Sequence, residues 1–201
     1  MTKSLLNIKT DKIEFHILDS AIHVFSKKGF NESTLADIAA QADVSKNTIY
    51  HHFANKKQIL VCLLERIWQH LADDMIELSE DNELDPLEKI DKLIDNIIDI
   101  FCDNPRLALV FFNEHNPILR GNNDSLNAHY IHYLKAFSII FNQGIKNQFI
   151  NTNIDGRVFL FFVHGGLRNL LNEWAIHADV FPIEKVRSSI KYQVKHGILR
   201  W

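Results

Sequence analysis

The chain is poor in cysteine, proline and glycine, with two, four and seven in 201 residues. Cys62 and Cys102 lie far apart with no metal-binding or redox spacing around them, which excludes a disulfide framework and leaves reduced thiols as the expectation. Long apolar runs are missing too. The longest, Leu107–Phe112 and Val158–Val163, are six residues each, far short of the ~20 that span a bilayer. The opening MTKSLLNIKTDK lacks the apolar core of a signal peptide, so a cytoplasmic chain that needs no membrane is expected. No stretch alternates with a period of two, and no segment repeats. Nor is there a Gly-rich phosphate loop, because Gly165-Gly166 fall inside a helical pattern rather than between a strand and a helix.

What remains is a globular composition, 46% hydrophobic and 23% charged, ample for a core and inconsistent with disorder. The net charge of −3 is unevenly spread. Residues 1–60 carry +2 and four histidines, whereas residues 61–201 carry −5. Phosphate neutralisation is local, so a modestly basic end on an acidic body is compatible with DNA.

Residues 34–53, TLADIAAQADVSKNTIYHHF, organise the N-terminal part. Thr34 and Asp37 have the spacing of a capping box. Leu35, Ile38, Ala39 and Ala42 follow at helical intervals, with small Ala39 and Ala42 allowing a close crossing. Asp43-Val44 make a turn and Ser45 caps a second short helix through His51. That helix is polar on nearly every side except at Ile49. It offers Lys46, Asn47, Thr48, Tyr50, His51 and His52, groups suited to phosphate oxygens and base edges. The pattern is a helix-turn-helix.

Residues Ile17–Leu60 resemble the DNA-binding domain of the TetR family of transcriptional regulators. The resemblance is carried by Ile17-Leu18, Ala21, Phe25, Gly29-Phe30, Thr34, Asp37-Ile38-Ala39, Ala42, Val44-Ser45, Thr48, Tyr50, His52-Phe53, Lys56 and Ile59-Leu60. Two positions depart from it. Asp43 stands where the family usually has Gly, and Glu14 lies where it often has Arg, leaving Lys12 or His16 as substitutes for that backbone contact. The resemblance implies a homodimer on double-stranded DNA that responds to a small-molecule effector, and no cofactor or metal. Thr34, Ser45, Lys46, Asn47, Thr48, Tyr50, His51, His52 and Lys56 are the expected DNA contacts, with Asn47 and Thr48 reading bases.

Around that motif the periodicity gives an all-α chain of about nine helices. A first helix is expected from Asp11 to Lys28, ended by Gly29. A long one follows from an Asn55 cap to Leu78, and then the acidic connector Ser79–Asp85. Pro86, Pro105 and Pro182 mark further helix starts, the second of them short and ending near His115 before Pro117. Later helices are expected over Ser125–Asn147, Asp155–Ala178 and Ile183–His196. Two domains are expected, a helix-turn-helix DNA-binding domain over 1–54 and a helical effector-binding and dimerisation domain over 55–201.

The run Val158–Val163, apolar all round, signals burial on more than one side. The costly mid-helix pair Gly165-Gly166 fits close approach of another backbone. With the last helix, these residues suggest a four-helix bundle between two copies, the arrangement that the family resemblance also implies. The surface expected is Phe161, Phe162, Gly165, Gly166, Leu170, Trp174, Val186, Ile190 and Val194. The effector pocket that the resemblance implies is assigned to Phe101, Phe111, Phe112, His115, Tyr130, Tyr133, Phe137, His164 and Arg168. Asn104–His115 with Gly165-Gly166-Leu167 and Trp174 resembles acyl-CoA-responsive TetR repressors of fatty-acid degradation, which implies an apolar or acyl-type effector.

Two other classes stay open at this stage. One is a ligand- or partner-binding helical protein with weak DNA binding, which Asp43, Glu14 and the mild charge favour. The other is a metal-dependent enzyme around His129 and His132 with Asp124 or His115. No nucleophile with a base and an orienting acid can be assembled, so an enzyme is not expected.

Overall fold

The computed structural model describes residues 11–119 and 124–198, the side chains of residues 115–119 excepted. Nine helices and no β-strand are found among them: α1 (Lys12–Glu32), α2 (Leu35–Gln41), α3 (Lys46–His52), α4 (Lys56–Glu80), α5 (Pro86–Cys102), α6 (Pro105–Leu119), α7 (Asp124–Lys146), α8 (Gly156–Ile176) and α9 (Ile183–Ile198).

The boundaries follow local chemistry. Asp11 caps α1 by accepting from the amides of Ile13 and Glu14 at 2.8 and 2.7 Å, which holds its carboxyl below the usual range. Gly29 breaks α1 at φ 77°, and a last turn runs on to Glu32. Asn55 caps α4 through the Gln58 amide. Asp85 and Glu88 form a capping box ahead of Pro86 in α5. One expectation needs correcting. α6 does not stop near His115 but continues through Pro117 to Leu119. An interior proline removes one ladder hydrogen bond and crowds the carbonyl four residues back, yet the helix runs two residues past Pro117.

A bundle forms around α4. Its Leu63, Leu64, Ile67, Leu71 and Met75 are buried, with the longest of its packing against α7. The N-terminal unit meets the body at two places. α1 packs on α6, where burial, and then the Lys27 and Arg106 charges, pull His23 below the usual imidazole range. It also meets α4, where Arg66 Nη2 donates to Glu14 Oε1 at 2.5 Å. Glu14, the residue that departs from the family pattern, is thus committed to an ion pair between helices. At the far end α9 is held on α5 by ion pairs. Arg187 bonds Asp95 and Asp99 at 2.8 and 2.5 Å, and Lys191 also bonds Asp95.

Candidate nucleic-acid interface and body cavity

The turn between α2 and α3 is made from side chains as much as backbone. Thr34 accepts from the Asp37 amide at 3.1 Å while the Asp37 carboxylate accepts from the Thr34 amide at 2.9 Å, completing the capping box. Lys28 donates to the same carboxylate at 2.5 Å. That bond, followed by those from Thr34, lowers the Asp37 pKa from 3.8 to about 2. Asp43 takes φ 50°, the left-handed conformation that Asp tolerates better than most residues and that Gly would accept freely. Ser45 then caps α3, its Oγ accepting from the Thr48 amide at 3.0 Å.

α3 is anchored by Ile49, which is fully buried, and by little else of its own. Lys46, Asn47, Tyr50 and His51 stand exposed on it, Tyr50 by 56%. Thr48 is half-buried and shares a hydrogen bond with Ser45 at 2.8 Å. His52 is half-buried too, with Nδ1 3.8 Å from the Asp11 carboxylate. Exposed donors and acceptors on a rod one turn wide can meet phosphates and base edges together.

Lys56 has different partners from the phosphate expected for it. Its Nζ donates to the carbonyls of Phe30, Asn31 and Ser33 at 2.7, 2.8 and 2.7 Å and lies 4.7 Å from the Phe30 ring centre. The break at Gly29 redirects the last turn of α1 and leaves these oxygens converging on one point. A cation there satisfies all three.

In the body, a cavity of about 260 Å³ opens between α4, α5, α6, α7 and α8. Six residues expected at a pocket line it: Phe101, Phe111, Phe112, Tyr130, His164 and Arg168. Tyr133 lies behind that lining. It is fully buried, and its hydroxyl is 2.5 Å from His164 Nε2, with burial pushing its phenol well above the ordinary value. Phe137 does not reach the cavity but packs against Phe141 and Phe159, with centroids 5.7 and 6.3 Å away. The side chain of His115 lies outside the described residues. Sequence reasoning missed Trp68, Leu71, Ile97, Phe161, Gly165 and Leu167 as lining. Trp68 stands edge-on to Tyr130 and Tyr133 at 4.9 and 5.5 Å, which places the middle of α4 in the cavity wall.

A second, wider groove of about 610 Å³ runs between α8 and α9, lined by Val158, Phe162, Gly166, Leu170 and Val194 among others. Phe161 and Phe162 are 46% and 79% exposed, Gly165 and Gly166 are exposed, and nothing lies within 4 Å of where a Cβ on either glycine would sit. Trp174 and Val186 do not belong to this face. They are buried within the chain's own core, because α8 and α9 each turn one apolar side inward before presenting another outward. Ile190 is nearly buried and floors the groove. Among the described residues no group of three His, Cys, Asp or Glu side chains is placed to hold a metal, and no helix is long and apolar enough to cross a membrane.

A capped helix pair presenting a short polar rod, joined by one long helix to an all-α body with an apolar cavity, defines a helix-turn-helix regulator. Residues 17–62 match the family model described as bacterial regulatory proteins, tetR family. The chain is 25% identical over 186 residues to the fatty acid metabolism regulator protein of Bacillus subtilis (strain 168), covering 90% of this chain and 93% of that one. Its fold is similar to the fatty acid degradation regulator FadR from Bacillus halodurans, with a TM-score of 0.77 at 21% identity over 94% and 97% of the two chains. It is similar also to the transcriptional regulator FadR from Bacillus subtilis in complex with stearoyl-CoA, with a TM-score of 0.73 at 24% identity over 91% and 98%. Residues 17–62 are therefore a TetR-family DNA-binding segment, and the similarities support a ligand-responsive transcriptional repressor.

Proposed function

We propose that two copies of this chain bind a near-palindromic operator, and that an apolar or acyl-type small molecule in the body cavity releases them. The observation that carries this reading is the exposure of Lys46, Asn47, Tyr50 and His51 on a helix whose fully buried residue is Ile49. Asn47 and Thr48 read base edges. Lys46, Tyr50 and His51, with Thr34, Ser45 and His52 beside them, bind the backbone. Lys56 positions this unit through its carbonyl contacts rather than reaching the duplex. The chain divides at 54/55 into a DNA-binding domain and an effector-binding and dimerisation domain, and it acts in the cytoplasm by binding and not by catalysis.

Dimerisation uses the outward side of α8 and α9. In its support, Val158 and Phe162 are exposed there beside Gly166, whose outer space is open. The two α3 helices then enter successive major grooves about 34–36 Å apart. Trp68 in the cavity wall supports α4 as the link. A ligand that displaces its ring tilts α4 and changes that separation, and its different affinity for the two spacings drives release.

The test is a randomised-site selection followed by mobility-shift titrations at several salt concentrations. Tyr50→Ala should weaken binding to all sequences alike, and Asn47→Ala should change which sequence is preferred. An unchanged preference in Asn47→Ala would remove the base-reading role. Indifference of the wild-type protein to every duplex would remove the whole reading.

A further inference from the structure

Resting on the effector reading above, the chemistry of the cavity wall narrows the ligand further. On α8 the residues Phe161, His164, Gly165 and Arg168 line the cavity, and Arg157, one turn before Phe161, falls on the same side of the helix. The two arginines stand about 16 Å apart along the axis at ~1.5 Å per residue. Arg168 donates from Nη2 to the Phe112 carbonyl at 2.7 Å, and Arg157 lies over the Phe161 ring with its guanidinium carbon 5.8 Å from the centroid. Neither has a carboxylate partner among the described residues. Arg66 and Arg187 show the contrast, each matched to acidic side chains.

Beside Arg168 the cavity wall is apolar, formed by Leu71, Ile97, Phe101, Phe111 and Leu167. The His164 Nε2 in it is engaged by Tyr133. The Tyr133 hydroxyl is buried, and its bond with Nε2 gives it a partner in the core, so the pair forms part of the wall. Size sets a second limit. An apolar cavity of about 150 Å³ takes one benzene, or roughly 25 Å³ per carbon. On that scale the 260 Å³ here takes about ten carbons. A stearoyl chain, at about eighteen carbons, needs roughly 450 Å³.

We propose that the effector is a compact amphipathic anion, with an apolar part of about ten carbons or fewer filling the cavity and an anionic group paired with Arg168. A carboxylate and the phosphates of a short acyl thioester supply the same headgroup chemistry, and the experiment separates them.

Full-length protein is titrated calorimetrically with hexanoate, octanoate, decanoate, octanol, octanoyl-CoA, stearoyl-CoA and CoA itself. Operator binding is measured on the same preparation. Octanoate or octanoyl-CoA should bind about tenfold or more tighter than octanol, from one charge-assisted contact. Arg168→Gln should erase that difference, and Arg168→Lys, which keeps the charge, should retain part of it. Binding of octanoate with none of octanoyl-CoA assigns the headgroup to a free carboxylate, and the converse assigns it to the thioester phosphates. Octanol binding as tightly as both, or an Arg168→Gln protein that still favours the anion, overturns the proposal. Stearoyl-CoA binding more tightly than octanoyl-CoA, with release from operator, overturns the size limit and leaves the effector reading in place. No response of operator binding to any small molecule overturns both.

Discussion

Replacing Lys56 with methionine separates a structural cation from a DNA-contacting one. Methionine keeps most of the aliphatic stem and removes the ammonium alone. Two of the three carbonyls lost, those of Phe30 and Ser33, are half-buried, and the third, of Asn31, is exposed and can turn to water. At about 1.5 kcal/mol for each half-buried bond to a charged group, and close to zero for the exposed one, the bonds contribute about 3 kcal/mol. The contact with the Phe30 ring adds about 0.5 kcal/mol. Lys56→Met should therefore lose about 2–4 kcal/mol of unfolding free energy, read by urea denaturation followed by circular dichroism. The slope of operator affinity against salt should not change. A protein as stable as wild type whose salt slope falls by about one would identify Lys56 as a phosphate contact and refute the reasoning.

Two further outcomes follow from geometry on the same unit and on the body. The Asp37 carboxyl is depressed from 3.8 to about 2, so its stabilisation is fully present above pH 3.8 and is lost as pH falls through 2. Asp37→Asn should accordingly flatten that part of the stability–pH curve relative to wild type. Phe162 is 79% exposed on the outward side of α8, and Phe162→Glu should turn a dimer into a monomer by size-exclusion chromatography with light scattering. A Phe162→Glu dimer of unchanged affinity would move the interface elsewhere.

Local features were legible in the chain because a few neighbouring residues decide them. The Thr34–Asp37 box, the Ser45 and Asn55 caps, the break at Gly29 and the left-handed turn at Asp43 all depend on groups within four positions. The all-α architecture followed from the same periodicity. What escaped depends on distant partners. Lys56 in a first helical turn reads as an electrostatic liability, and only the folded chain brings three carbonyls to it from some 25 positions away. Trp68 fell on the apolar stripe of α4, and a stripe tells which side points inward without telling whether it meets packing or an opening. In the same way the all-round apolar character of α8 announced two covered sides, but not that Trp174 faces its own chain while Phe162 faces outward.

The setting of Trp68 gives the molecule an optical gauge of its own. An indole whose ring borders the opening emits at a wavelength set by how much solvent reaches it, and filling the opening changes that colour without any attached dye. The chain has three tryptophans. A Trp174→Phe, Trp201→Phe protein would therefore report from the midpoint of the connecting helix alone. Titrating first duplex and then small molecule in one cuvette would reveal whether duplex bound at one end of that helix is felt at the cavity midway along it.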